Sequence, residues 1–527
     1  MRDFQSPGRS LVYAANGLCA TSHPLASQVA VRLMQDGGNA VDAAIGAAVL
    51  LGLCEPQMTG LGGDCFVLLK PAGEERILGL NGSGRAPRGL DPAALRAAGH
   101  RAMPVHDAAA VTVPGAVDAF VRLSEGWGRL GLAASLAPAI RYAEEGVPVA
   151  PRVALDWAEA AGDLQGDARR FYLLGGAAPR AGQLFRAPGQ AEMLRRIARQ
   201  GRAGFYEGEA AEDMVASLAA LGGTHRLEDF AATEAAWVEP VRGTYRGHEL
   251  VEMPPNGQGA TAILMAKILG HFDLSPLDPM GPERAHLEAE AGKLAYDARD
   301  RFVADPEAGP LRIAHMLADE TAARLAALID PGRALPEPAA ASEAIHRETV
   351  YLTVVDADRM AVSLIYSTFH TFGSGLASAR FGINFQNRGA GFSLAPGHPN
   401  EAGGGKRPMH TIIPAMLRRN DRLLMPFGVM GAAYQPAGHV RVMSNLLDFG
   451  MDPQAAIDAP RSFAEAGGIQ LETGYAPAVA ERLQAMGHRT SWRTSPLGGA
   501  QAILVDDEAG VLIGASDPRK DGCALGY

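Results

Sequence analysis

The chain changes character near residue 349, and that change limits it to folds that mix helices with sheets. From about Pro114 to Leu328, apolar residues recur at helical spacing, most clearly over residues 190–200, 210–221 and 282–301. After a Pro- and Ala-rich stretch, 330–342, that reads as a linker, strand-like runs take over at 349–356, 360–366, 382–386, 411–418 and 423–428, followed by a helix at 436–449. The front half also contains strand-then-helix units. A strand near Cys19 leads into a helix through 29–35, Gly37-Gly38 ends it, and an Ala-rich helix spans 40–53. Strands are expected at 65–70, 77–81 and 247–253. The fold class is therefore α/β, and no internal repeat is present.

Composition narrows the function classes. With 527 residues, 47% of them hydrophobic, the chain can bury a large core. A net charge of −10 gives no global attraction to nucleic acid or to an anionic membrane. Cys19, Cys54, Cys65 and Cys523 show neither a CxxC pair nor a zinc-ligand spacing, so they are expected to be reduced core residues, with no metal and no cofactor. No apolar run approaches the roughly 18 residues of a spanning helix, and residues 1–16 lack a secretory apolar region. The expected location is cytoplasmic.

Three motifs invite chemistry. Gly60-Leu61-Gly62-Gly63-Asp64-Cys65 looks like a dinucleotide turn, but Cys65 stands at the third glycine and the helix precedes the strand, so that reading is rejected. Gly428-Val429-Met430-Gly431-Ala432-Ala433 joins a strand to a helix, as a tight turn or as a set of backbone N–H groups for a developing oxyanion. Asp300, Arg301 and Asp305 read as structural pairs at a helix end, and His410 as a satisfied core histidine. Thr349 follows a polar stretch and opens a β-branched strand. If the chain were cut before it, the new α-amine, with a pKa of about 7.7 to 8.0, would serve as general base for its own hydroxyl.

Taken together, the motifs resemble one family. Thr21-Ser22-His23-Pro24-Leu25-Ala26-Ser27, Gly37-Gly38-Asn39-Ala40-Val41-Asp42-Ala43-Ala44, Glu55-Pro56, Gly60-Leu61-Gly62-Gly63, Val113-Pro114-Gly115, Phe205-Tyr206-Glu207-Gly208, Asp305-Pro306, Phe372-Gly373-Ser374-Gly375, Lys406-Arg407-Pro408, Ala459-Pro460-Arg461 and Ala515-Ser516-Asp517-Pro518-Arg519 follow the order of γ-glutamyltranspeptidases. The resemblance implies an N-terminal nucleophile hydrolase: a four-layer αββα sandwich with two stacked antiparallel sheets. It implies a precursor that cuts itself between Glu348 and Thr349 into a large subunit, 1–348, and a small one, 349–527, intertwined as one unit. Thr349 would be the nucleophile, Ser367 the second hydroxyl beside it, and Gly431 with Ala432 the oxyanion hole. A homodimer is possible in such a family.

The departures from the family pattern concentrate in the substrate pocket. Ser83 stands where the family has an arginine, and Arg85 lies two residues on. Phe369 replaces an asparagine, Arg388 and Gly391 replace a glutamine and an aspartate, His410-Thr411 replaces a Ser-Ser pair, and Val350 replaces a threonine. Arg85, Phe369, Arg388, His410 and Thr411 are the expected substrate-binding residues. By family, the substrate is a γ-glutamyl amide such as glutathione, with hydrolysis favoured over transfer to an amine acceptor. By pocket charge, it is a small carboxylate-bearing amide such as oxamate, because a cation replaces the anion that would hold an α-ammonium. Acylase activity on β-lactam side chains and an unprocessed binding homologue are the other readings.

Overall fold

The computed structural model describes Gln5 and residues 8–335, 349–465 and 467–527. Glu348, on the far side of the expected cut, lies outside the described residues, as do residues 336–342 of the expected linker.

Two seven-stranded sheets form the centre. Their strands are β1 (Val12–Ala14), β2 (Leu18–Thr21), β3 (Asp64–Lys70), β4 (Leu78–Gly82), β5 (Ala236–Val238), β6 (Val241–Tyr245), β7 (His248–Glu252), β8 (Val350–Val355), β9 (Ala361–Ser367), β10 (Ala415–Arg419), β11 (Arg422–Met430), β12 (Gly499–Asp506), β13 (Val511–Ser516) and β14 (Cys523–Gly526). One sheet has the order β1-β13-β12-β11-β10-β7-β6 and the other β14-β2-β8-β9-β3-β4-β5. Every neighbouring pair in both is antiparallel. Each sheet draws strands from both sides of Thr349.

Strand alternation sorts the side chains into layers. In β8, Val350, Leu352 and Val354 pack toward helices, while Tyr351 and Val355 face the other sheet. In β9, Val362, Leu364 and Tyr366 take the helix side, and Ala361 and Ile365 the side between the sheets. Helices α1 (Pro24–Gln35) and α2 (Ala40–Cys54) cover the second sheet, and α3 (Gly259–Leu269), α4 (Pro282–Phe302) and α5 (Gln435–Leu447) cover the first. The result is the expected αββα sandwich. Helix α2 is buried along its whole length, which its small residues permit: a Cβ on Gly46 would lie 2.4 Å from Leu33. Its start is fixed by a capping box between Asn39 and Asp42.

Three expectations are corrected. Residues 382–386 form no strand: Gly382 has φ of +65°, and the segment makes only an isolated bridge, Ala377 with Asn384. Its polar groups bond elsewhere, Gln386 N–H to Gly62 O at 3.0 Å for example. The strand expected from Thr411 begins at Ala415, because Ile412 N–H bonds His410 Nδ1, Ile413 N–H bonds Gln435 Oε1, and Pro414 has no N–H to give. Finally, the helical front half contains β5 and β6, short strands at the edges of the two sheets. Among the described residues, no helix is long and apolar enough to cross a membrane.

Candidate active site

Thr349 and Ser367 lie at the same end of the central strand pair. Val350 is in register with Tyr366, so Thr349 and Ser367 extend that ladder by one step. By alternation both share the parity of Tyr351 and Ile365, which face the space between the sheets. Both are buried, and Thr349 Oγ1 donates to Ser367 Oγ at 3.2 Å. Ser367 Oγ also accepts the Phe369 N–H at 2.8 Å, and Phe369 takes a φ of +83°, in the region where non-glycine residues are uncommon.

From Phe369 a chain of contacts leads around the site. The Arg388 guanidinium lies 4.1 Å from the centre of the Phe369 ring, and its Nη1 donates to Thr411 Oγ1 at 2.9 Å. Thr411 O and Ala432 O both accept from Gln258 Nε2, at 2.7 and 2.9 Å. Thr349, Ser367, Phe369, Arg388, Thr411 and Ala432 are thus joined by a continuous path of direct contacts, with Gln258 as the link absent from the sequence reading. Arg388 is fully buried.

The turn after β11 is held open by its backbone. Gly431 has φ of +125° and Ala432 of +48°, so two successive peptides lie outside the usual right-handed range. Gly431 O accepts from Tyr434 N–H at 2.9 Å, and Ala433 O accepts from the Tyr296 hydroxyl. Strand β11 crosses close over β8: a Cβ on Gly428 would sit 2.5 Å from the Tyr351 ring, so only glycine fits there.

His410 and Arg85 point elsewhere. His410 Nε2 donates to Asp64 Oδ2 at 3.1 Å, while its Nδ1 accepts from Ile412 N–H, which places the proton on Nε2. Burial, reinforced by the Arg388 charge and only partly opposed by Asp64, pushes the His410 imidazole down to about 3. It is therefore a neutral hydrogen-bond donor near pH 7. Asp64 Oδ1 also accepts from Gly84 N–H, Gly115 N–H and Gln386 Nε2 at 3.0, 3.0 and 2.8 Å. With His410 included, the carboxylate thus ties the start of β3 to four other segments. Arg85 is a third exposed and bonds Glu307 at 2.7 Å and Gly405 O at 3.1 Å. It shares Glu307 with Arg407, so its guanidinium is committed to that carboxylate and to Gly405.

A separate buried cluster, His286, Glu290 and His488, brings three ligand-type atoms within 4.8 Å of one another. Lys293 Nζ sits 2.8 Å from Glu290 Oε1 and supplies the positive charge a cation would bring. His286 bonds His488 at 2.7 Å and Asp330 O at 2.8 Å, and Glu290 accepts Leu335 N–H at 2.8 Å. The cluster anchors the last described residues before Thr349.

A family model described as "Gamma-glutamyltranspeptidase" matches residues 26–527. The chain is 34% identical to the "Glutathione hydrolase-like YwrD proenzyme" of Bacillus subtilis, over 98% of this chain and 99% of that one. It is 35% identical to the "Oxamate amidohydrolase proenzyme" of Klebsiella pneumoniae, again over 98% and 99%. Among solved structures, a cephalosporin acylase from Bacillus halodurans matches with a TM-score of 0.93 and 39% identity, over 100% of this chain and 99% of that one.

Proposed function

Because the chain belongs to the gamma-glutamyltranspeptidase family, we propose that it cuts itself between Glu348 and Thr349 and that Thr349 then hydrolyses a small carboxylate-bearing amide of the oxamate kind. The cut frees an α-amine whose pKa of about 7.7 to 8.0 suits a general base. Thr349 Oγ1 attacks the amide carbonyl and its proton passes to that amine. The oxyanion is held by the N–H groups of Gly431 and Ala432. Collapse returns the proton to the leaving nitrogen and expels ammonia, leaving an ester on Thr349. Water, deprotonated by the same amine, cleaves the ester, and the acyl group leaves as a carboxylate.

The observation that carries the substrate reading is the buried Arg388 guanidinium, joined to the Thr349–Ser367 pair through Phe369. A buried cation favours an anionic group on the acyl side, and it repels the α-ammonium of a γ-glutamyl head. The relative named for oxamate supports the same choice, while the relative named for glutathione supports the family substrate.

Ammonia release from oxamate and glutamate release from glutathione, measured side by side on the processed protein, test the reading. A higher kcat/KM for oxamate is expected. Faster glutathione turnover would return the substrate to the γ-glutamyl class.

A further inference from the structure

Gln258 lies between β7 and α3, far in sequence from Thr349, and is fully buried. Both hydrogens of its amide are used: one goes to Thr411 O at 2.7 Å, the other to Ala432 O at 2.9 Å. Its Oε1 accepts from Arg299 Nη1 at 3.1 Å. Arginine has only donors to offer, so this contact fixes which end of the amide faces the carbonyls. Arg299 is itself held by Asp300 and lies 4.8 Å over the Tyr296 ring, and Tyr296 bonds the next carbonyl of the turn, Ala433 O. The backbone of Gln258 is also pinned, its N–H bonding His410 O at 3.1 Å.

We propose that Gln258 is a positioning residue that couples the carboxylate clamp to the oxyanion turn. This rests on the proposed function, in which Arg388, bonded to Thr411, holds one end of the substrate and the Gly431 and Ala432 N–H groups receive the oxyanion. Ala432 is not glycine, yet it sits at φ +48°, a conformation that must be stabilised from outside. Pulling the Ala432 carbonyl toward Gln258 sets the plane of the peptide on one side of that residue. It thereby restrains the rotation that aims the preceding N–H. The same amide group fixes Thr411, whose hydroxyl accepts from Arg388. Gln258 thus sets the distance between where the substrate's acid end is held and where its carbonyl is polarised.

Gln258→Glu separates this role from a merely structural one. Glutamate has the same shape and keeps the Arg299 contact, now as an ion pair, but presents oxygens to two carbonyls. Kinetics on the processed protein with oxamate should show kcat lowered about 10- to 100-fold, with KM within about threefold and the thermal midpoint retained. Gln258→Met, which offers neither donor nor acceptor, should lose kcat to the same degree. Hydrogen exchange read by mass spectrometry over residues 430–434 should accelerate at least tenfold in Gln258→Glu, while α3 is unchanged. An unchanged kcat, or unchanged exchange at the turn, would overturn the proposal. If the wild-type protein hydrolyses none of the amides, the substrate reading fails and the exchange result alone decides the role of Gln258.

Discussion

Replacing Arg388 with methionine separates charge from shape at the substrate clamp. Methionine is nearly as long, and its sulfur packs favourably against an aromatic ring, so the contact with Phe369 survives without the cation. The fold loses the charge-assisted hydrogen bond to Thr411, about 1.5 to 3 kcal/mol, and a cation–π contact of about 1 to 2 kcal/mol. Methionine no longer requires a charge to be buried, which offsets part of that loss against a total stability of roughly 5 to 15 kcal/mol, so the variant is expected to fold. A substrate carboxylate deprived of its buried partner loses more, about 2 to 5 kcal/mol. At about 1.4 kcal/mol per factor of ten, kcat/KM for oxamate should fall between roughly 30-fold and several thousand-fold. The assay is ammonia release from oxamate and from a neutral amide of the same size. The neutral amide should be hydrolysed as well as before or better. An equal loss on both substrates, or no loss on oxamate, would refute the assignment of Arg388 as a carboxylate anchor.

Asp64→Ala would leave four buried donors, from Gly84, Gly115, Gln386 and His410, without their carboxylate. At about 1.5 to 3 kcal/mol each, this approaches the whole stability of a protein, so aggregated, uncut chain is expected on gel filtration, whereas Asp64→Asn should cost only about 1 to 3 kcal/mol in urea unfolding. Acid should destabilise the protein through His23, His225 and His410, which burial pushes down to about 4, 4 and 3. Between those values and about 6.5 the unfolded chain binds more protons, so urea midpoints should fall as pH falls through that window. Glu55, raised by burial to about 7, works in the opposite sense, its contribution lost as pH rises through 7, so Glu55→Gln should steepen the acid decline.

Much of the fold is legible from local pattern. The β-branched run after Thr349 and the small-residue helix at 40–54 are each buried on all sides, and composition alone signals that. What escapes is structure whose cause is distant. Residues 382–386 look like a strand, but Gly382, Ile383 and Phe385 bond back to Ser374, Leu376 and Ser378, while Gln386 is claimed by Gly62 and Asp64, more than 300 residues earlier. Asp64 sits in a glycine-rich motif with no local sign that it will receive four hydrogen bonds. Gln258 lies in Pro254-Pro255-Asn256-Gly257-Gln258-Gly259, which reads as an ordinary turn. Only the folded chain brings Thr411 and Ala432 to the two hydrogens of its amide. Arg85 shows the opposite failure, since a residue close in sequence to a family position is drawn off by Glu307.

In the proposed reaction, Thr349 becomes a new N-terminus and acts as the nucleophile. Intact mass and N-terminal sequencing of purified protein, followed over time, address it directly. A fragment beginning Thr349-Val350-Tyr351 and ending at Tyr527 should appear together with amidase activity, and neither should appear in Thr349→Ala. A full-length chain that hydrolyses amides without cleavage, or a cut at any other bond, would contradict it.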